Sequence, residues 1–451
     1  MAKVYLVSLG CDKNRVDGEV MVGSLRLAGY DVVNDPQTAA AIIINTCGFI
    51  RDAVQESLDL VFELAEYKKS GNCRALVIVG CMAERYKSEI KETIPEADAF
   101  VGVGDYENIP NILTSLIGSA ETKERGQGES SPCGGGGGEP PAVFSRLSAR
   151  KDSDIPHIAY VKISEGCDNH CAYCTIPKIR GAYKSRPMEQ IVDECRLLVE
   201  AGAKELVLVA QDTARYGTDI YGAKKLPELL REIAAKSGAD WIRLMYVYPE
   251  HITAALIDAL AEIPQVCKYI DMPIQHCEDE ILTRMGRKGG KRELEQLIRV
   301  LRDRVHGIAI RTTLMVGFPG ETQENFDGLY NFAQEMKFDR MGAFPYSQEE
   351  GTPAAEMPNQ IDEETKQERL SAIMELQQEI HFKNQRKYVN QTLPVMLDSQ
   401  QDGVCTGRTQ YDTYESDAVV QFHSAKKLSR GQIIPIKITA TDGYDLKGEE
   451  Q

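Results

Sequence analysis

Apolar and polar positions along the chain repeat with two periods. Short apolar runs, Val4-Tyr5-Leu6-Val7, Ala41-Ile42-Ile43-Ile44 and Ala75-Leu76-Val77-Ile78-Val79, predict strands. The stretches 17–28, 52–68 and 84–93 between and after them carry apolar residues at helical spacing. Strand and helix in alternation predict a parallel sheet. From residue 118 the pattern lapses into Gly126-Gln127-Gly128-Glu129-Ser130-Ser131-Pro132-Cys133, a glycine run and Glu139-Pro140-Pro141, which reads as a flexible linker over 118–152. Strands are then predicted at 158–163, 205–210, 241–246, 269–272, 308–316 and 340–346, with helices such as 188–201 and 292–304 among them. Six βα units fit a partial (β/α)6 barrel, whose chemistry belongs at the C-terminal ends of its strands. A charged helix over about 363–387 presents one apolar face through Leu370, Ile373, Met374, Leu376 and Ile380. Short strands at 393–397, 403–407, 418–422 and 433–439 then predict a small antiparallel β-barrel. The fold class is α/β. The predicted domains are 1–117, with the parallel sheet, 153–383, with the partial barrel, and 384–451, with the small barrel.

Cysteine placement changes this from a fold to a chemistry. The chain of 451 residues has 12 cysteines. Its first residues form a β-like run with no cationic leader, and no apolar run is long enough to span a bilayer. A cytoplasmic location with no membrane partner is expected, and cysteines there argue for metal ligands over disulfides. Cys167, Cys171 and Cys174, spaced C-x3-C-x2-C, follow the strand predicted at 158–163. Three thiolates hold three irons of a 4Fe-4S cube and leave the fourth open to an exchangeable small molecule. Structural zinc is the ordinary alternative. It usually takes four closed ligands, often with a second C-x2-C pair that is missing here, and His170 stands awkwardly beside Cys171.

Cys11, Cys47 and Cys81 each follow one of the first three strands, at the edge of an open α/β sheet where ligands collect. Any one alone reads as a small buried residue; three at equivalent positions imply a second three-ligand cluster. Cys133 lies in the linker, where no backbone is held for a ligand, and Cys73, Cys195, Cys267, Cys277 and Cys405 read as core or incidental.

The stretch from Lys162 to Cys174 closely resembles the signature of radical S-adenosylmethionine enzymes. Together with Cys11, Cys47, Cys81 and the segments Ser8-Leu9-Gly10-Cys11-Asp12-Lys13-Asn14-Arg15-Val16-Asp17 and Gly80-Cys81-Met82-Ala83-Glu84-Arg85-Tyr86, it makes nearly the whole chain resemble the methylthiotransferases. The resemblance implies two 4Fe-4S clusters, on Cys167, Cys171 and Cys174 and on Cys11, Cys47 and Cys81. It implies two S-adenosylmethionine molecules per turnover, one to methylate sulfur at the auxiliary cluster and one cleaved to a 5'-deoxyadenosyl radical. An external flavodoxin- or ferredoxin-like electron donor and a sulfur donor follow as partners. Tyr173 would lie against the adenine, and Gln211, Arg311 and Glu321 would line the cosubstrate pocket. No catalytic residue beyond the cluster ligands is assigned. Arg180 and Arg186 match family positions, although arginines are ordinarily solvated, and His276 reads equally as a pocket residue or a hydrogen-bonded structural one. The closing barrel resembles a TRAM domain.

This family divides between an aspartate of a small-subunit ribosomal protein and isopentenyl-adenosine in tRNA. Ser8 to Asn14, Asp271-Met272-Pro273-Ile274-Gln275-His276 and Phe344-Pro345-Tyr346-Ser347-Gln348-Glu349-Glu350-Gly351-Thr352 resemble the ribosomal-protein branch. Charge agrees, because a formal net charge of -16 draws a basic protein, whereas tRNA needs clustered Lys and Arg. Residues 384–451 carry 8 basic against 9 acidic side chains, and Tyr411 and Tyr414 stand among Asp412, Glu415 and Asp417, a poor surface for phosphate. The expected reaction is methylthiolation at the β-carbon of an aspartate in a basic ribosomal protein of the small subunit, docked by the TRAM-like domain, with tRNA less favoured. A non-catalytic iron–sulfur or RNA-binding scaffold is the rival from another class.

Overall fold

Strands β1 (Lys3–Ser8), β2 (Asp31–Val33), β3 (Ala41–Thr46), β4 (Ala75–Gly80) and β5 (Ala99–Val101) form one sheet in the order β2-β1-β3-β4-β5. Every pairing in it is parallel. The structure is a computed structural model and describes residues 1–87, 89–118, 146–147 and 155–451. Most of the expected linker, Cys133 included, lies outside the described residues. β3 and β4 are buried along their whole length. Ile43, Val77 and Val79 pack with Met21, Leu25 and Leu113 on one face, and Ile42, Ile44, Leu76 and Ile78 with Val61 and Leu64 on the other. Burial on both faces is why these strands read as unbroken apolar runs.

Departures from expectation fall where polar residues mask an element. The first helix begins at Asp12, earlier than the apolar period suggests, because Lys13, Asn14 and Asp17 in its opening turns are buried against the sheet's C-terminal edge. The helix expected over 84–93 is two short pieces, Cys81–Arg85 and Ile90–Thr93. β2 and β5 are edge strands too short to show a period.

The described residues divide into two units. The first holds those before Ile155 together with Thr175–Ala182, and the second holds Ile155–Cys174 and Tyr183–Gln451. In the second, Ile158–Lys162, Glu205–Val209 and Trp241–Leu244 form one parallel sheet, and Tyr269–Asp271, Ala309–Val316 and Arg340–Pro345 another. These are the six strands of the expected partial barrel. Beyond the helix Glu363–Gln385, five strands close a small barrel: Thr392–Gln401, Val404–Thr409, Val420–His423, Ile433–Asp442 and Asp445–Glu450. Its pairings are antiparallel except Val420–His423 with Asp445–Glu450, which is parallel. That last strand carries mostly polar residues and buries only Leu446, so no strand was expected there.

The acidic, tyrosine-bearing loop of the small barrel turns part of its charge inward, with Asp412 buried and Glu415 exposed, which corrects the expectation that read all its acids as surface. Asp412 accepts from Arg340 Nε at 3.0 Å, Tyr269 Oη donates to Asp417 Oδ2 at 2.9 Å, and Arg243 Nη1 donates to Gln410 O at 2.9 Å. Glu205 receives both Arg243 at 2.6 Å and Arg408 at 2.9 Å. Asp412 and Asp417 are counter-charges for Arg340, and Asp417 also for Arg311, on the barrel strands, an arrangement buried charges require. Internal pairing thus removes Arg408, Asp398, Asp412 and Asp417 from the surface balance, leaving residues 384–451 without a marked excess of either sign.

Candidate metal centres

In the first unit, β1, β3 and β4 run parallel, so the residues after them emerge at one sheet edge: Cys11, Cys47 and Cys81. Cys47 and Cys81 are buried and Cys11 is exposed. Two glycines let the strand ends close up. Gly10 has φ +86°, and a Cβ there would stand 2.9 Å from Cys47 Cβ and 3.1 Å from its Sγ. Gly80 has φ +92° and ψ -153°, a region reserved for glycine, and a Cβ would fall 2.5 Å from Asn45 Oδ1.

Asn14 stitches the same edge. Its Nδ2 donates to Leu9 O at 2.9 Å and Thr46 O at 3.1 Å, while Cys81 Sγ lies 3.7 Å from its Oδ1. Oδ1 also accepts from Arg180 Nη2 at 2.6 Å, and the same nitrogen reaches Asp17 Oδ2 at 3.1 Å. Arg180 is therefore a buried ion, its side chain 1% exposed, and not the solvated residue arginine usually is. Burial pushes the Cys81 thiol up to about 11 and raises Cys47 as well; Arg180 pulls both back, and Cys11 raises both. The three sulfurs share one electrostatic neighbourhood. A donor set of soft thiols, gathered at one sheet edge by glycines whose added Cβ would push the strand ends apart, fits an iron–sulfur cluster.

In the second unit the C-x3-C-x2-C loop leaves Ile158–Lys162 by way of Ser164–Glu165 and is pinned by backbone bonds, Ala172 N to Met285 O and Ala354 N to Ala172 O, both 2.9 Å. Cys167 Sγ accepts from Asn169 N at 3.4 Å, and Cys171 Sγ lies 3.6 Å from Tyr248 Oη. Burial lifts the Cys167 thiol to about 11. Ionising such thiols takes a cation, which a bound cluster supplies. Among the described residues no three or more His, Cys, Asp or Glu are grouped to hold a single metal ion. A cubane spreads its irons over separate corners, so its thiolates stand farther apart than ligands on one ion.

The remaining predicted site residues occupy four distinct settings. Tyr173 is half-buried beside Arg287, which stacks 4.4 Å over the Tyr248 ring and is anchored by Glu250 at 2.7 Å. Gln211, at the C-terminal end of Glu205–Val209, donates to Glu165 at 3.4 Å while its buried Oε1 has no hydrogen-bond partner among the described residues. Arg311 is enclosed among Tyr269, Asp417 and Asp271. Glu321 turns inward: Oε2 accepts from Gly317 N at 2.9 Å and Oε1 from Arg369 at 2.8 Å, which shapes the turn after Ala309–Val316. His276 is buried and accepts from Glu278 N at 3.0 Å. Arg186 holds Lys162 O at 2.7 Å and Glu194 at 2.6 Å. Sequence reasoning passed over Asn14, Asp17 and Arg287. The available signal for the first two was their i, i+3 spacing in a polar helix start.

Residues 3–102 match the family described as Uncharacterized protein family UPF0004, 161–333 the Radical SAM superfamily, and 389–450 the TRAM domain. Over the whole chain the similarity is to proteins named ribosomal protein uS12 methylthiotransferase RimO. The one from Desulforamulus reducens is 46% identical, covering 100% of this chain and 99% of that protein; the one from Clostridium kluyveri is 45% identical, covering 99% and 97%. The chain belongs to this methylthiotransferase family. As a radical SAM methylthiotransferase it works with a 4Fe-4S cluster and S-adenosylmethionine. Among solved structures, the radical S-adenosylmethionine methyltransferase TsrM from Kitasatospora setae aligns with a TM-score of 0.54 at 17% identity, over 78% of this chain and 77% of that one. The cobalamin-dependent radical enzyme OxsB aligns at 0.51 and 11%, over 83% and 56%. Both likenesses concern the fold alone.

Proposed function

We propose that this methylthiotransferase acts on ribosomal protein uS12, adding a methylthio group to the β-carbon of an aspartate. The observation that carries the reading is end-to-end similarity to proteins named for that activity. In this reading Cys167, Cys171 and Cys174 hold the cluster that works with S-adenosylmethionine, within 153–383. Cys11, Cys47 and Cys81 hold a second 4Fe-4S cluster, within 1–117, that supplies sulfur. Residues 384–451 dock the protein substrate.

When bound, the clusters and cosubstrate supply the radical chemistry that an unactivated C–H bond demands, since no side chain is basic enough to remove that hydrogen. The chain's own contribution is placement. Tyr173, held by Arg287, walls the cosubstrate side of the loop, and the spare acceptor of Gln211 is offered to it. Glu321 keeps the glycine turn in shape, and Arg311 fixes the barrel interior beneath. Two cosubstrates are used per turnover, with a flavodoxin- or ferredoxin-like reductant and a separate sulfur donor. Among the described residues no helix is long and apolar enough to cross a membrane, and the cytoplasm, where thiols stay reduced, suits the reading.

The reconstituted protein, incubated separately with uS12 and with tRNA bearing unmodified isopentenyl-adenosine, should add a methylthio mass to uS12 alone. A gain on the tRNA alone would overturn the substrate and leave the radical chemistry standing. Failure to form 5'-deoxyadenosine under any condition would favour a scaffold.

A further inference from the structure

Buried arginines are expensive unless their charge has a use or a partner, and Arg180 is buried against Asn14 and Asp17, in the electrostatic field of Cys47 and Cys81. Its contacts at 2.6 Å to Asn14 Oδ1 and 3.1 Å to Asp17 Oδ2 fix the guanidinium beneath the edge where Cys11, Cys47 and Cys81 emerge. The atom that receives it, Asn14 Oδ1, is the atom 3.7 Å from Cys81 Sγ. Asn14 cannot turn away, because its other end is committed to Leu9 O and Thr46 O. Arg180 belongs to the helix Ile176–Arg180, within the segment Thr175–Ala182 that forms part of the first unit. That segment is itself tied to the unit by Thr175 Oγ1 donating to Phe49 O at 3.3 Å, close after Cys47.

We infer that Arg180 is a positioning residue that sets the reduction potential of the cluster on Cys11, Cys47 and Cys81, with Asp17 as its trimming counter-charge. The inference rests on the proposal that this triad holds a cluster. Adding an electron makes a cluster more negative, so a fixed positive charge nearby favours the reduced form and raises the potential; a negative charge does the reverse. Arg180 and Asp17 therefore act with opposite sign on one centre.

Anaerobic reconstitution followed by a potentiometric titration read by electron paramagnetic resonance tests this without turnover. The wild type should hold about eight irons per chain and show two midpoint potentials. Arg180→Gln should lower one of them, Asp17→Asn should raise the same one, and Arg180→Lys should stay near the wild-type value. A merely structural role predicts that both neutral substitutions shift the potential in the same direction, and that result, or no shift in either variant at full iron content, overturns the inference. About four irons in the wild type would instead remove the second cluster, a failure of the underlying reading and distinguishable from the first. Should Arg180→Gln fold poorly, Asp17→Asn and Arg180→Lys carry the test: a rise in the former and none in the latter supports it, and an unmoved Asp17→Asn defeats it.

Discussion

Cys167, Cys171 and Cys174 share one loop, whereas Cys11, Cys47 and Cys81 are brought together only by the order of three parallel strands. The first arrangement needs little of the fold: two backbone bonds, to Met285 and Ala354, hold the loop in place. The second needs the whole sheet. Its ligands are separated by at least one helix and one strand at every step, and the entropy of closing those long loops is offset by the packing of β3 and β4 between two apolar layers. The two sites therefore differ in what can damage them. A substitution far from Cys11 that disturbs strand spacing reaches the triad of Cys11, Cys47 and Cys81, while the local loop is insulated from all but its immediate neighbours.

The strongest test removes each triad. Wild-type protein should bind about eight irons, and each triple cysteine-to-alanine variant about four. Loss of Cys167, Cys171 and Cys174 should abolish formation of 5'-deoxyadenosine. Loss of Cys11, Cys47 and Cys81 should leave that product and eliminate methylthio transfer. Undiminished iron in the second variant would refute the second cluster, and loss of both activities there would show the roles misassigned.

The same contrast explains what could be read from the chain. The C-x3-C-x2-C loop is a spacing, visible without any fold. The other triad became visible only through topology: three strands predicted parallel place three following cysteines at one edge. What ties that edge was hidden, because Asn14 and Asp17 occupy polar positions that suggest a solvated helix start, and Arg180 is distant in sequence from both. Their burial depends on tertiary placement, for which the local pattern has no signal. The loop at Tyr411 to Asp417 misled for the same reason. Acidic residues look alike whether they face water or, like Asp412, neutralise Arg340 in the interior.

A smaller and more local contrast comes from placing one methyl group at each site. Gly80→Ala puts a Cβ against Asn45 Oδ1 and Thr46 O, at 2.5 and 2.8 Å, in a backbone region reserved for glycine, which should cost about 3 kcal/mol. Because the clash lies between β3 and β4, it should spread the triad and halve the iron retained on reconstitution. Gly166→Ala introduces the same atom beside Cys167 at φ +72°, a strain of about 1 kcal/mol that a short loop absorbs, so iron content should stay near the wild-type value. Equal losses in the two variants would mean that the local loop is no better insulated than the strand edge.

The smallest expected effect concerns protons. The first site is underlain by the Arg180–Asp17 ion pair, whereas the second unit buries a histidine close to the turn after Ala309–Val316. His276 accepts from Glu278 N through Nδ1, and its Nε2 is 3.6 Å from Glu321 Oε2. Burial, reinforced by Arg369 and Lys291, depresses its pKa to about 3. The unfolded chain titrates this imidazole near the ordinary value of about 6.5, so the folded state binds fewer protons than the unfolded state between the two values. A depressed pKa of this kind leaves stability intact above about 6.5 and lowers it steadily as pH falls below that point. Between pH 7 and pH 5 the penalty is about 2 kcal/mol. Trp241, the only tryptophan of the chain, is buried in the second unit and reports its unfolding. Urea titrations followed by its fluorescence should show wild type losing about 2 kcal/mol more than His276→Gln over that pH interval. Comparing the two pH responses cancels any fixed cost of the substitution and the carboxylate titrations common to both. Parallel responses would place the proton uptake elsewhere and remove this difference between the two units.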